Sequence, residues 1–202
     1  MAAHGDLLFY DKNGVDLDGY LRSQIENLRD VVNAIPEKNF TSQADSELAK
    51  SIYDKAKVAP LNVNFEAAVA DVKETTVDVT GRFDYDMGDG QTVSVPGYRV
   101  TKSIPFDGSP LLWKMKTNPW GMNPPRGTIH GGVLTIGIDI PAAEKDRAKA
   151  YIDDSINRIP EYLERQKAQI ERYNESILPE AVKLIAQRRK RLEDAAELKK
   201  SL

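Results

Sequence analysis

Apolar and polar residues alternate between Val93 and Ile140, and the alternation continues through several turn sequences. A period of two residues is typical of a strand with one buried face. Shorter alternating runs lie at 63–69 and 77–85. The predicted face consists of Tyr98, Val100, Lys102 and Ile104, then Leu111, Trp113 and Met115, then Leu134, Ile136, Ile138 and Ile140. We therefore expect a central antiparallel sheet of about four strands within residues 63–140.

Turn residues separate these runs. The stretch 106–110 ends in Asp-Gly-Ser-Pro, which is typical of a tight turn and closes a predicted hairpin. The segment 118–127 is rich in proline, which cannot donate a hydrogen bond to a β-ladder, so we predict a loop there. A short helix over 65–72 is an alternative to the strand predicted in that stretch, because Glu, Ala and Asp are common in it.

Helical periodicity dominates the first 60 residues. One amphipathic stripe precedes Pro36 and a second precedes Pro60, with Thr41 or Ser42 as the predicted N-cap of the second helix. The first stripe contains Leu21, Ile25, Leu28, Val32 and Ile35, and the second contains Leu48, Ala49, Ile52 and Ala56. This pattern predicts two N-terminal helices.

The segment after Pro141 is charged and helical in pattern. Two stripes with steps of three and four residues are typical of packed helices. We expect Pro160 to kink the first helix and Asn174–Pro179 to form a joint, which predicts a long C-terminal helical hairpin. The first stripe is Ile152, Ile156, Ile159, Leu163, Gln166 and Ile170, and the second is Leu178, Val182, Ile185, Leu192 and Ala196.

These elements define an α+β fold class in three sequence regions. Residues 1–60 form an N-terminal helical part, 61–141 an antiparallel sheet, and 142–202 the helical hairpin. We expect the three regions to form one structural domain, because 202 residues suffice for a shared core.

Composition narrows the function classes. Cysteine is absent, which excludes disulfides, thiolate nucleophiles and cysteine metal sites, and we expect no cofactor. The net charge of −3 argues against a general nucleic-acid binder. Because the sequence contains neither a long apolar run nor a signal-peptide pattern, we expect a cytoplasmic protein that does not bind a membrane.

An acidic turn carries the main hypothesis of enzymatic activity. The segment Asp84–Gly90 begins like a calcium-binding loop, but it differs from an EF-hand at three ligand or glycine positions. A metal-dependent hydrolase or nuclease would use Asp84, Asp86 and Asp89. His130, before Gly131-Gly132, is a further candidate general base, although a surface turn is the more ordinary role for such a histidine. We assign no catalytic residue and no metal ligand, and we favour a segment without enzymatic activity.

Three other stretches predict binding. Trp120, Met122 and Arg126 lie on the proline-stiffened loop, where they form a partner contact or else fold back over the end of the sheet. The basic run Arg188, Arg189, Lys190 and Arg191 is either a solvated helical face or a phosphate or nucleic-acid contact. Ile152, Ile156, Ile159, Leu163 and Ile170 are candidates for oligomerisation, either in a homodimer or within an internal bundle.

Several short motifs resemble an uncharacterised bacterial module. They are Gly97–Val100, Ile104–Gly108, Leu111–Trp113, Asn123–Gly127 and the Arg-Arg-Lys-Arg-Leu sequence at Arg188–Leu192, so the resemblance spans about residues 97–202. Such modules stand N-terminal to Toll/interleukin-receptor-like or nuclease effector domains in proteins of antiviral defence. The resemblance implies a recognition or oligomerisation module with a protein partner or a second copy, and it transfers no functional residue. We accordingly expect the chain to be a piece of a longer protein whose effector domain follows Leu202.

Overall fold

The computed structural model describes residues 2–14, 16–82, 84–85 and 92–202, and it shows a mixed helical and sheet fold. The strands are β1 Ala2–Ala3, β2 Asp6–Leu7, β3 Asn62–Val63, β4 Val69–Asp78, β5 Ser94–Asp107, β6 Arg126–His130 and β7 Val133–Pro141. The α-helices are α1 Leu17–Asn33, α2 Glu37–Ser42, α3 Asp45–Ala56 and α4 Asp146–Ser201. Short 3-10 helices cover Phe65–Ala67, Pro110–Lys114 and Ala142–Glu144.

The sheet is antiparallel, as the alternation predicts, and β7 lies in the middle of its main strand order. The main strand order is β2-β6-β7-β5-β3, while β1 pairs with β7 and β4 pairs with β5. Val100 lies opposite Ile138, and Ile104 lies opposite Leu134. All four apolar residues of the last predicted run are buried, which fixes the register because a one-residue slip would expose every one of them.

Seven strands form among the described residues, so the prediction of about four is too low. Three of the extra strands, β1, β2 and β3, are only two residues long and therefore carry no periodicity. The run at Leu111, Trp113 and Met115 is not a strand: residues 110–114 form a 3-10 helix that Ser109 caps and Pro110 begins. Leu111 is exposed there and its neighbour Leu112 is buried, although Trp113 and Met115 of the predicted face are buried.

Three helices, rather than two, precede the main sheet strands. Asp16 caps α1 by accepting a hydrogen bond from the backbone of Gly19. The predicted N-cap at Thr41 or Ser42 is wrong, because both residues lie in the short helix α2, where Phe40 is buried. Helix α3 begins at Asp45, and the Glu47 side chain accepts a hydrogen bond from the Ala44 backbone at its start.

The predicted C-terminal hairpin is also wrong, because α4 is one helix of 56 residues. Pro160 and Pro179 are both exposed within it. Proline has no amide N–H, so the carbonyl one turn earlier in the helix has no backbone donor. Because both prolines are exposed, water can solvate those carbonyls. Asn174, which the sequence places at a joint, instead donates to the Val58 carbonyl at 2.9 Å and accepts from the Val58 amide at 3.0 Å.

The chain forms two compact units, each built from two separate segments. The first consists of Met1–Val15 and Pro60–Arg165 and contains the sheet and the first part of α4. Its core contains an aromatic cluster in which the Phe9 ring stacks on Tyr162, with centroids 4.9 Å apart, and lies 5.2 Å from Trp113. Phe106 meets the edge of Trp113 at 5.4 Å.

The second unit consists of Asp16–Ala59 and Gln166–Leu202, that is, α1 to α3 and the rest of α4. Polar contacts join its two segments: the Tyr173 hydroxyl donates to the Ala56 carbonyl at 2.8 Å, and the Gln169 amide donates to Asp18. Burial raises the pKa of Tyr173, since a phenolate there would lose its hydration. The buried apolar residues are Leu17, Leu21, Leu28, Val32, Phe40, Leu48, Ala49, Ile52, Ile170, Ile177, Ala181, Leu184 and Ile185.

Candidate partner-binding site

The loop at residues 118–125, which we call the Trp120 loop, is held firmly against the first unit. Pro124 and Pro125 are buried, and the Pro125 carbonyl accepts from the Leu8 amide at 2.8 Å. The Pro119 carbonyl accepts from the Thr117 hydroxyl at 3.1 Å and from the Arg165 guanidinium at 3.3 Å. Both ends of the loop are therefore tied to the core, which restricts the positions of the residues between them.

Gly121 lies close to the ring of Tyr162. A Cβ atom at Gly121 would lie only 2.3 Å from the Tyr162 hydroxyl oxygen, so a side chain does not fit there. The same hydroxyl forms a hydrogen bond with the backbone of Asn123. Burial raises the pKa of Tyr162, which keeps the phenol neutral at the base of the loop.

Two large apolar side chains extend from this anchored loop into solvent. Trp120 is 41% exposed and Met122 is 90% exposed. Neither residue folds back to cover the end of the sheet fully, which was the alternative that the sequence left open. Exposed Trp and Met residues on a rigid backbone are typical of contact surfaces, because little conformational freedom is lost on binding.

Lys116 lies beside two aromatic rings at the base of the loop. Its ammonium is 4.6 Å from the Trp120 ring centroid and 5.5 Å from that of Tyr10, and the two rings are 6.3 Å apart. The negative faces of aromatic rings attract a cation at such distances. The aromatic pair therefore holds a positive charge next to the exposed apolar residues.

A surface cavity of about 360 Å³ adjoins Tyr10 and contains charges of both signs. Lys12, Lys114 and Arg126 line it together with Asp6, Leu7, Tyr10, Asp11 and Asn13. Arg126 is exposed in β6 and donates to the Gly5 carbonyl at 3.2 Å, which leaves other guanidinium donors available. We call Tyr10, Lys116, Trp120, Met122 and Arg126 together the Trp120 surface.

Of the three residues that the sequence predicts for partner binding, Trp120 and Met122 share the loop and Arg126 lines the cavity beside Tyr10. The structure adds Tyr10 and Lys116, which lie beside the Trp120 ring. Tyr10 and Trp120 are 110 positions apart in the sequence (120 − 10), so no local pattern could pair them. Lys116 lies three residues before Pro119, but no sequence pattern indicates that it faces an aromatic ring. Sequence reasoning missed both residues for this reason.

The basic run lies in the second unit, and two of its members bond within that unit. Arg189 donates to Asp45 and to the Phe40 carbonyl, and its pKa is raised by the hydrogen bond to Asp45. Arg191 donates to Asn33 at 2.8 Å. Lys190 is exposed and Arg188 is partly buried. Arg189 and Arg191 therefore have hydrogen-bond partners within the unit, and a structural role accounts for both residues without a bound phosphate.

The stripe predicted for oligomerisation is largely covered by the chain itself. Ile152, Ile159 and Ile170 are 5% exposed or less, while Ile156 and Leu163 are partly buried. In this conformation the three buried isoleucines offer no apolar area to another chain. Self-association through this stripe would rely on Ile156 and Leu163.

The remaining candidates give no catalytic arrangement among the described residues. Asp84 pairs with Arg82 at 2.9 Å, whereas Asp86 and Asp89 lie outside the described residues. No group of three or more potential metal ligands occurs in the described ranges. His130 is exposed at the end of β6.

The other histidine forms a pair that the sequence did not indicate. His4 lies 2.9 Å from Asp139, and Arg99 donates to both oxygens of that carboxylate at 2.9 Å. These bonds tie the segment after β1 to the sheet, and the hydrogen bond from Arg99 is the main cause that lowers the pKa of Asp139.

No family model, curated protein or solved structure matches the chain. The function of the site is therefore inferred from its own residues. Within the part of the chain that the structure covers, no helix combines the length and the apolar composition needed to span a bilayer.

Proposed function

We propose that this chain is a non-catalytic recognition module that binds a protein partner through the Trp120 surface. The observation that carries the proposal is the exposure of Trp120 and Met122 on a loop fixed by Gly121 and Tyr162. An exposed apolar pair costs free energy of hydration in the isolated protein, and binding removes that cost. The resemblance to modules that precede effector domains supports a role in protein binding rather than in catalysis.

The chemistry of the surface indicates the kind of partner. Trp120 and Met122 offer apolar area, and Lys116 and Arg126 offer positive charge beside it. A complementary protein surface would present carboxylates around an apolar side chain. We therefore propose an acidic protein segment with an apolar anchor as the partner.

Site-specific photo-crosslinking tests this proposal. A benzophenone amino acid at position 122 should trap a discrete partner in cells, whereas the same group at the exposed position Val182 should not. With the purified partner, Trp120→Ala should weaken binding by roughly tenfold or more, as expected for a contact hot spot. Lys183→Ala, at an exposed position of the other unit, is the matched control and should leave affinity unchanged.

Two outcomes would contradict the proposal. One is an unchanged partner affinity in Trp120→Ala and Met122→Ser, with both variants folded. The other is saturable binding of a single-stranded oligonucleotide that weakens with salt and is lost in Trp120→Ala, because an aromatic ring with nearby lysines can also stack bases. The second result would replace the protein partner with nucleic acid.

A further inference from the structure

Strand β4 has one open edge. All ten of its residues pair with β5, from Val69 opposite Ser103 to Asp78 opposite Ser94. Among the described residues no strand pairs with the other side of β4. Its outward amides and carbonyls therefore form a row of unused donors and acceptors, which can receive a further strand.

The first six residues of β4 are exposed on both faces. A strand that borders a core normally alternates between buried and exposed, but every residue from Val69 to Glu74 is exposed. Val69 is 66% exposed and Val72 is 59% exposed, and these two point to opposite faces of the sheet. Among the described residues no layer covers this segment, so an incoming strand would meet no obstruction from them and would gain two apolar contacts.

Three charged residues lie on this segment, Asp71, Lys73 and Glu74, and the first two have opposite signs and sit two residues apart. Lys73 and Asp71 lie on the same face, with their charged atoms 3.0 Å apart, and both side chains are more than half exposed. Charges on edge strands commonly discourage pairing, whereas opposite charges that face each other across two strands stabilise it. Asp71 and Lys73 would attract a strand that places a positive charge opposite Asp71 and a negative charge opposite Lys73.

An antiparallel copy of β4 provides this arrangement. With Val72 on the two-fold axis, Asp71 lies opposite Lys73 of the copy, and Lys73 lies opposite its Asp71. Moving the axis to Asp71, Lys73 or Glu74 would place two identical charges against each other, which is unfavourable. The register centred on Val72 alone gives two complementary charge pairs around an apolar centre.

We propose that β4 pairs antiparallel with β4 of a second copy of this chain, in the register centred on Val72. The pairing would extend the sheet across a two-fold axis, with the same surface used by both copies. It shares no residue with the Trp120 surface, so the dimer and the protein partner can be tested separately.

Charge reversal at two positions tests the pairing and its register. Asp71→Lys alone and Lys73→Asp alone each replace two attractive pairs with two repulsive ones, so each should weaken self-association by roughly tenfold or more. The double variant Asp71→Lys/Lys73→Asp restores opposite charges and should dimerise like the unmodified protein. An equimolar mixture of the two single variants should also dimerise, because every cross-strand pair is then complementary.

Sedimentation equilibrium over about 1 µM to 1 mM measures the fraction of dimer as a function of concentration for each protein. Lys149→Asp, an exposed reversal on α4, is the matched control and should leave association unchanged. Hydrogen exchange of the β4 amides should slow as concentration rises, which locates the interface independently of any variant. A monomer throughout this range, or a dimer insensitive to both single reversals, would overturn the proposal.

Discussion

The contact between Gly121 and Tyr162 decides how the Trp120 loop is presented. The Tyr162 ring stacks on Phe9 and is only 3% exposed, so it cannot move aside as a flexible surface side chain would. A glycine is therefore needed at 121 because of close approach, with no requirement for an unusual backbone angle. Binding through Trp120 would depend on this neighbour, although Gly121 itself offers no side chain to a partner.

Gly121→Ala should lower the free energy of unfolding by about 1–3 kcal/mol, the usual cost of overpacking a well-filled site. Urea denaturation of the purified variant measures this. In a Tyr162→Phe background the same substitution should cost less, because the nearest atom, the hydroxyl oxygen, is gone. Equal costs in both backgrounds would show that the loop relaxes by another route and that the clash does not govern it.

Asp139 adds a pH-dependent contribution to stability. Its pKa is lower in the folded chain than its ordinary value, so its ionised form favours folding. The contribution is complete well above the ordinary pKa of an aspartate, about 3.9, and is lost as pH falls through the lower folded-state pKa. Asp139→Asn should therefore lower stability by about 1 kcal/mol at pH 7, because solvent screens the pair with the half-exposed Arg99, and by less at pH 3.

Comparing urea unfolding of the two proteins at pH 7 and pH 3 isolates this effect, because the other carboxylates titrate alike in both. Glu171→Gln is a suitable control, since Glu171 is 4.0 Å from Lys167 and both are more than half exposed. It should change stability very little at either pH. A difference for Asp139→Asn that grows as pH falls would contradict the assignment.

At the scale of elements, the sequence predicted those whose burial follows one period from end to end. Strand β7 buries Leu134, Ile136, Ile138 and Ile140, and α1 buries Leu21, Leu28 and Val32. Both elements could therefore be recognised from the spacing of their apolar residues. The two-residue strands have no period to detect. The same is true of the Trp120 surface, whose members come from distant segments, although its loop was identifiable from proline and tryptophan.

The error in α4 has a specific cause. Asn and Pro near residues 174–179 are typical of a helix end. Here Asn174 uses its side chain for Val58 rather than for a cap, and Pro179 faces solvent. Asn174 is thus used in tertiary hydrogen bonds and Pro179 is exposed, so neither residue ends the helix as the local rule predicts.

Asn174→Leu should lower the free energy of unfolding by about 1–3 kcal/mol, because the Val58 amide and carbonyl both lose their partner. Thermal unfolding followed by circular dichroism measures the loss. Asn174→Asp is the matched comparison: its carboxylate can still accept from the Val58 amide but cannot donate to the carbonyl, so we expect a smaller loss. If Asn174→Leu proves as stable as the unmodified chain, the two hydrogen bonds contribute nothing net.

At the scale of the whole molecule, each compact unit depends on segments that are far apart in the sequence. In the second unit, residues 16–59 join residues 166–202. Hydrogen bonds from Gln169, Tyr173, Asn174, Arg189 and Arg191 cross between these segments. The buried leucines and isoleucines of α1 to α3 thus belong to a core that the early part of the chain cannot complete alone.

A peptide of residues 16–59 should accordingly be largely unfolded by itself, and its helicity should rise when a peptide of residues 166–202 is added. Short isolated helices are marginal in water without tertiary packing, which is the physical reason. Circular dichroism of each peptide and of the mixture measures the gain. Cooperative thermal unfolding of the 16–59 peptide alone would contradict this expectation.

The placement of the two tryptophans has a practical consequence for spectroscopy. Trp113 is fully buried and Trp120 is 41% exposed, and both belong to the first unit. The chain has no other tryptophan. Emission from Trp113 therefore reports the aromatic core, and emission from Trp120 reports the solvent at the Trp120 surface. The second unit contains no tryptophan. A change in tryptophan emission on adding a ligand therefore reports a change in the first unit, which contains the sheet.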